Sequence, residues 1–466
     1  MSSIASENPT DRAVPSLKAA ALLAFWLLWV VDSALPQLQM ALLGGSVPVR
    51  GALLDGAFLL MMAVLLLVRG RLPAPPPAVA TTIVAFMAYL FLELFFLVAR
   101  KQVTGVGLIT DYYRYYFFLL ALPFVFVAEG SLSADRVFRW LLIAFVPLAW
   151  LGLQQHFGGD PVVPTRAVDG RFQIFAWDWR GEVRAFSLFN SGWSFGHFCI
   201  LVGAMAFFRL RQTDALPTAM RRLCWLVLAV APVCAYASQT RTVFLVAFCT
   251  IVAAATLDGL RTGRRNRLAL LLPVAFGAGA YLVAYSAKPL VALLGMQDET
   301  LFATGSLDAR WDAWTTFGSY WLGGSVSEFL FGLGIGQHDS GTLYSESTVL
   351  IDNMIVAIGV QVGAVGVMLW IIMMWQIWCW VLARATQQDT ALHWGIAAVW
   401  STWTLSLTFS AATVFYGVLA IGAVLMTGSG QVTARRDDAA VDEGAVDSVG
   451  NQPLTGGARM RIIGHE

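Results

Sequence analysis

Long apolar runs separated by short polar breaks repeat along most of the chain. They predict twelve helical spans, near 18–36, 51–68, 77–99, 113–128, 136–156, 188–208, 221–237, 241–258, 267–287, 350–383, 390–409 and 411–428. The tenth run is too long for one straight crossing, so its first part or its last turns extend beyond the hydrocarbon. The expected fold class is an all-α polytopic membrane protein. Two polar breaks are much longer than the rest, at about 157–187 and about 288–349. Structureless loops of that length are uncommon and are usually functional. The second holds "GSLDARWDAWTTFGSYWLGG". A helix started by a Ser306 cap places Trp311, Trp314, Gly318 and Trp321 on one face, with Asp308, Asp312 and Thr315 elsewhere. This predicts an amphipathic helix at the outer interface, its tryptophans at headgroup level.

Composition agrees with the apolar pattern. Hydrophobic residues make up 58% of the chain and charged residues 13%, against roughly 25% charged in soluble domains. The first sixteen residues are polar, with residues 1–17 expected as a cytoplasmic tail, and no small-residue cleavage site follows the first apolar run, which predicts a retained first helix. Residues 18–428 form the expected membrane domain. The Gly-, Asp-, Ala- and Arg-rich tail at 429–466 is predicted to be disordered. No internal repeat is visible.

Charge adds an orientation. Arg69, Arg71, Arg136, Arg139, Arg209, Arg211, Arg221, Arg222, Arg261, Arg264, Arg265 and Arg267 fall in alternate loops. Excess Lys and Arg mark the cytoplasmic side, so those loops and both termini are expected there. The net charge of +1 and the lack of a basic arm exclude nucleic acid as a partner class. Cys199, Cys224, Cys234, Cys249 and Cys379 all sit in apolar runs. They read as small buried hydrophobes rather than a disulfide or metal framework.

The remaining basic residues need another explanation. Arg184 lies in "EVRAFSLFNSGWSFGHF" before the sixth span, and Arg241 in "YASQTRTVFLVAF" opens the eighth. Arg310 lies on the tryptophan-rich helix before the tenth. These three spans begin at the external face, so their N-terminal amides point outward. Asn190 or Ser191, Ser238 or Thr240, and Ser345 or Ser347 are candidate caps. Helix N-termini with arginines suit an anion, phosphate above all. The competing readings are a solvated loop charge for Arg184 and headgroup snorkelling for Arg310. Arg241 starts an apolar span, where a charge needs a partner or a ligand.

Gly332 to Asn353, "GLGIGQHDSGTLYSESTVLIDN", gathers ionisable groups at the mouth of the tenth span. Its glycines let backbone approach a ligand closely. His338 suits a general base or a phosphate donor, and Glu346 a base or an arginine partner. Asp352 and Asn353 stand at the helix entry, where capping competes with a functional role. Asp32 and Glu93 lie in apolar runs, and Glu93 is expected to pair with an arginine or hydrogen-bond within the bundle. His156 and His197 read as packed or interfacial.

The chain resembles the O-antigen ligase and O-antigen polymerase superfamily of bacterial inner-membrane glycosyltransferases. The resemblance is carried by "RAFSLFN", "SQTR", "LDARWDAW", "FGLGIGQH", "ESTVLIDN" and "GVQVGAVGVM", in that order, and it extends to about residue 430. It implies a glycosyltransferase C-type helix bundle with an external loop helix over the site. It also implies periplasmic action, without metal or other cofactor, on an undecaprenyl-diphosphate-linked glycan donor. The acceptor is a glycan in polymerases and lipid A–core in ligases. A chain-length regulator is a further partner class. Arg184 and Arg241 match the family's basic residues and would hold the diphosphate, with Arg310 as a third candidate. His338 matches the loop histidine of the ligase branch. The long polar run from His338 through Glu346 to Asp352 and Asn353 looks more like exopolysaccharide polymerases. The base is then His338 or Glu346. A polymerase is the leading expectation and a ligase the alternative. A transporter or flippase would instead show discontinuous spans, internal repeats and ionisable residues near midplane.

Overall fold

The computed structural model describes residues 76–99, 134–158, 184–189, 192–212, 216–263, 268–294, 304–334 and 353–408. The predicted spans at 18–36, 51–68, 113–128 and 411–428, and the 429–466 tail, lie outside the described residues. Among those described there are eleven helices and no strand. They are α1 (Pro77–Ala99), α2 (Ala134–Phe157), α3 (Gly192–Arg211), α4 (Thr218–Ala237), α5 (Arg241–Arg261) and α6 (Leu268–Leu294), then α7 (Thr304–Gly323), α8 (Val326–Phe331), α9 (Met354–Gln388), α10 (Ala391–Trp400) and α11 (Trp403–Thr408). Each predicted span that falls among the described residues is largely helical there, 188–189 and 401–402 excepted. Six helices, α2 to α6 and α9, carry stretches long and apolar enough to cross a membrane.

Two helices form the centre. Of the 20 residues of α3, 16 are buried, and all ten of α10 are buried. A helix that is apolar all round must be covered all round. α2, α4, α5 and α9 pack around this pair. Gly395 lets α10 cross α3 at backbone distance: a Cβ there would lie 2.5 Å from the Met205 side chain and 2.8 Å from its Cα. The outer helices turn Phe91, Phe248, Ile251 and Leu282 outward, as a lipid-facing surface requires.

The basic loop ends share one end of the bundle. Arg211 of α3 makes a two-pronged contact with Asp258 of α5, at 3.0 and 2.8 Å. Arg261 reaches Asp258 at 3.3 Å, donates to the Arg211 carbonyl, and lies 3.9 Å from Asp389. Gln212 donates to the Asp389 carbonyl, which ties α3 to the α9–α10 turn. Arg139 and Arg209 line one small cavity beside Pro217. The alternation of charge along the sequence is thus an alternation of helix ends.

Two spans are broken. The run at 390–409, expected as one crossing, is two helices that meet at Ser401–Thr402. Both residues are fully buried, and their hydroxyls donate to the Ala398 and Val399 carbonyls at 2.6 and 2.7 Å. Hydroxyls bonded back onto the preceding turn compete with its amides and interrupt the ladder.

The second break is at Gly363 in α9. The helix has 35 residues, about 52 Å at 1.5 Å per residue, against a hydrocarbon core of roughly 30 Å. It is interrupted where Gly363 adopts φ 70°, ψ −174°. Three carbonyls before the break receive donors from outside the helix. Leu333 N–H donates to Val360 at 2.7 Å, Gly334 N–H to Gln361 at 3.0 Å, and the Tyr89 hydroxyl to Val362 at 2.6 Å. Backbone polar groups freed inside a membrane must find such partners.

The tryptophan-rich helix starts at Thr304, so Ser306 is not its cap but lies inside it. Its tryptophan face is packed against other helices of the chain. Trp314 is 5% exposed and packs edge-on to Tyr281 of α6. Trp311 packs on Tyr285, and Trp321 lies against Gly359 of α9. Ala313 and Phe317 form a small cluster with Ala357 and Val360. The face found by periodicity is therefore an intramolecular one, complemented by aromatic edges and alanines of α6 and α9. A capping box of Ser325 and Glu328 then starts α8. The Ser325 N–H and hydroxyl hold the Glu328 carboxyl below its ordinary range.

Candidate functional site

Three pieces of chain meet at the N-terminal end of α3. The first is 184–189, irregular backbone with Ala185, Phe186, Ser187 and Phe189 buried. Non-helical backbone at this depth persists only where protein covers it and satisfies its polar groups. Gln155 of α2 does so. Its Oε1 accepts from the Phe186 and Ser187 N–H groups at 3.0 and 2.6 Å, and its amide donates to the Ser187 carbonyl at 3.0 Å. The Ser187 hydroxyl donates to the Leu148 carbonyl at 2.7 Å. Phe189 packs on Phe195 and Phe198.

The second piece is the α4–α5 turn, 238–240, and the third is the first turn of α3. Ala185 N–H donates to the Ala237 carbonyl at 2.9 Å, joining the Arg184 segment to the end of α4. Gly192 sits against the Ser238 and Ala185 carbonyls, where a Cβ would lie 2.6 and 3.0 Å from them. Arg241 is the first residue of α5, one position past Thr240. Thr240 holds the N-cap position of α5, but its hydroxyl donates to the Ser238 carbonyl and caps no amide. Ser238 is the C-cap of α4, not a cap of α5, and its hydroxyl donates to Ala235. Gln239 has φ 48°, so this turn is tight and specified. Arg184, Ser238 and Arg241 are thereby gathered in one neighbourhood, half-open around the two arginines.

A second neighbourhood surrounds the entry of α9. Asn353, fully buried, caps α9: its Oδ1 accepts from Ile355 and Val356 N–H at 3.0 and 3.1 Å. That displaces Ser345 and Ser347 from the capping role expected of them. The Asn353 amide donates to the Tyr281 hydroxyl at 3.2 Å. Tyr281 also bonds with Thr408 at the end of α11. His338, Glu346, Asp352, Asn190 and Ser191 lie outside the described residues. Arg310 belongs to α7, and its side chain lies outside the described set. Gly332 allows close backbone approach to α9, where a Cβ would lie 2.4 Å from the Gln361 carbonyl, and Gly334 N–H donates to that carbonyl.

Glu93, 9% exposed, hydrogen-bonds with Tyr89, the residue that caps Val362. His197 is packed, as expected, with Nδ1 2.8 Å from the Trp193 carbonyl. All five thiols are free, and Cys199, Cys224 and Cys234 are buried. Among the described residues no three His, Cys, Asp or Glu side chains group as metal ligands would. Gln155, Tyr281 and Tyr89 were missed by sequence reasoning. Their one signal is a polar group inside an apolar run, which marks many other positions equally well.

Gln155→Leu is expected to cost about 3 kcal/mol, since it strands two amides and a carbonyl in the interior. A lower melting temperature in detergent, with the Ser187 amide losing hydrogen-exchange protection, is the result to look for. An unchanged melt would show that 184–189 is held by its phenylalanines alone.

Apolar helices of membrane-spanning length around a buried central pair define an α-helical membrane protein. No protein-family model and no curated protein matches the chain.

Proposed function

We propose that this protein is a glycosyltransferase of the bacterial inner membrane, built on about twelve spans in a glycosyltransferase C-type bundle. It polymerises undecaprenyl-diphosphate-linked oligosaccharide units into a surface polysaccharide at the periplasmic face. One observation carries the reading. The Arg184 segment is hydrogen-bonded to the end of α4, directly before the turn that opens α5 at Arg241. The two arginines that the resemblance assigns to the diphosphate share one neighbourhood although the sequence keeps them far apart.

The chemistry follows from that pairing. Charge grows on the diphosphate as the glycosidic bond breaks, and fixed arginines beside a helix N-terminus stabilise it more in the transition state than in the ground state. That arrangement serves as the electrophilic half of the reaction without a metal. His338 or Glu346 takes the proton of the acceptor hydroxyl, commonly worth about two to four orders of magnitude in rate. Direct displacement inverts the anomeric centre.

The two helix breaks favour a second reading, a transporter, because discontinuous spans are a transporter feature. One experiment separates the readings. Purified protein in lipid is given a defined diphosphate-lipid oligosaccharide, with and without chelator. The expected product is a ladder of chain lengths on the carrier lipid, unaffected by chelator. Transfer to added lipid A–core without a ladder indicates a ligase. Movement of intact donor across the bilayer with no new glycosidic bond indicates a transporter. Loss of the ladder with chelator refutes the metal-free step.

A further inference from the structure

The joint between α7 and α8 turns apolar side chains outward. Tyr320, Leu322, Val326, Phe329 and Phe331 are all exposed, and α8 has no buried residue. The two helices act as one unit here: Trp321 Nε1–H donates to the Phe329 carbonyl at 2.9 Å, and the two rings stack. The one charge in 320–331 is Glu328, whose carboxylate accepts from the Ser325 N–H and hydroxyl at 2.7 and 2.9 Å. The preceding turns of α7 differ. From Trp311 to Ser319 the exposed residues are Asp312, Thr315, Thr316 and Ser319, all polar. A run of exposed apolar side chains on this scale marks a contact surface.

The fold sets the level of that surface. α9 ends on the arginine cluster, through Asp389. The stretch 364–383, which closes just before Arg384, carries no charge. Its length is about 30 Å of helix, the thickness of a hydrocarbon core. Gly363 therefore stands at the hydrocarbon boundary on the side away from Arg384. The chain that follows α8 is clamped to that level by the Leu333 and Gly334 N–H groups, which donate to Val360 and Gln361. Phe331 is there too: a Cβ on Gly363 would lie 2.4 Å from its nitrogen.

The surface also continues an apolar face of a spanning helix. Met368, Ile371 and Ile372 of α9 are exposed, and Met368 lies about 7.5 Å deeper than Gly363. A docking patch for protein is rimmed by polar groups, whereas this one runs on toward the lipid-facing side of α9. We infer that α7–α8 is an interfacial element whose apolar edge, from Tyr320 to Phe331, enters the acyl chains of the leaflet away from Arg384. The element then has two apolar sides, tryptophans toward α6 and α9 and this edge toward lipid. Insertion to the usual depth of about 5–10 Å suits it. The Ser325 N–H at the joint already has the Glu328 carboxylate as acceptor, so leaving water strands no donor there.

The test reads contact with lipid and needs no turnover. Full-length protein in nanodiscs is irradiated with phosphatidylcholine that carries a diazirine near the glycerol end of one acyl chain. Peptic peptides are then mapped by mass spectrometry. Peptides within 320–331 are expected to label to about the same yield as those holding Met368, Ile371 and Ile372, and peptides within 311–319 roughly tenfold less. Leu322 and Val326 are the most exposed side chains of the edge, at 66% and 76%, so charging them leaves the packing intact. Leu322→Asp with Val326→Asp is expected to cut the 320–331 label roughly tenfold while the α9 label stays. Label on Met368 to Ile372 with none on 320–331 in the unaltered protein overturns the inference, as does equal labelling of 320–331 in the double variant. Label on 320–331 that is lost in discs holding two copies also overturns it and gives the edge to a second copy of the chain.

Discussion

Arg241→Ala is expected to lower polymer formation by about two to three orders of magnitude, the usual effect of removing one fixed donor from a developing anion. Arg241 opens α5 beside a cap residue whose hydroxyl is turned away, so on the proposed reading cation and helix N-terminus act on the same charge. The loss should fall mainly on kcat, because leaving-group charge is greatest in the transition state. Arg241→Lys is expected to recover part of the activity: it keeps the charge and loses the paired donor geometry. Arg184→Ala should follow Arg241→Ala. The double variant should be no more than about tenfold worse than either single one, since on the proposed reading both act on one diphosphate. Initial rates on purified protein, with its melting temperature measured alongside, check this. Normal polymer from a well-folded Arg241→Ala protein would sink the clamp.

Gly363→Ala is expected to destabilise the protein by about 4 kcal/mol. At φ 70° and ψ −174° only glycine is comfortable, and strain there alone is about 1–3 kcal/mol. The added Cβ would also lie 2.3 Å from the Leu330 carbonyl carbon and oxygen, atoms that cannot swing aside. Relief requires 330–334 to lift off α9, which breaks the Leu333–Val360 and Gly334–Gln361 bonds, each worth about 1 kcal/mol. Thermal unfolding in detergent gives the magnitude, and faster exchange of the Leu333 and Gly334 amides gives the cause. Gly279→Ala on α6 is the control. A Cβ there meets nothing within 4 Å, so the change should be neutral or stabilise by up to about 1 kcal/mol. Equal effects at both sites would show that the clamp holds no free energy.

In the resemblance motifs, Gly332 of "FGLGIGQH" lies against Gln361 and Gly363 of "GVQVGAVGVM" lies against Leu330. The first motif was legible as glycine-rich; that the two pack on one another was not. The same division runs through the site. Arg184 and Arg241 stood out because charge beside an apolar run is rare, and rarity is visible along a line. Gln155 did not stand out, since its importance lies in which three backbone groups it meets. The tryptophan face of α7 was visible as a period, but a period does not say what the face is turned toward.

Apolar helices of spanning length and the charge at their ends are properties of neighbouring residues, and the membrane reads them as local sums of transfer free energy and charge. Residue order was enough to find those that the described residues include. The breaks in α9 and at Ser401–Thr402, the burial of α3 and α10, and the meeting of Arg184 with Arg241 are pairwise matters. Tyr89 satisfies a carbonyl 273 positions away, and no window along the chain holds both groups. Only packing decides which donor reaches which freed carbonyl, because in hydrocarbon each must have a partner and water supplies none.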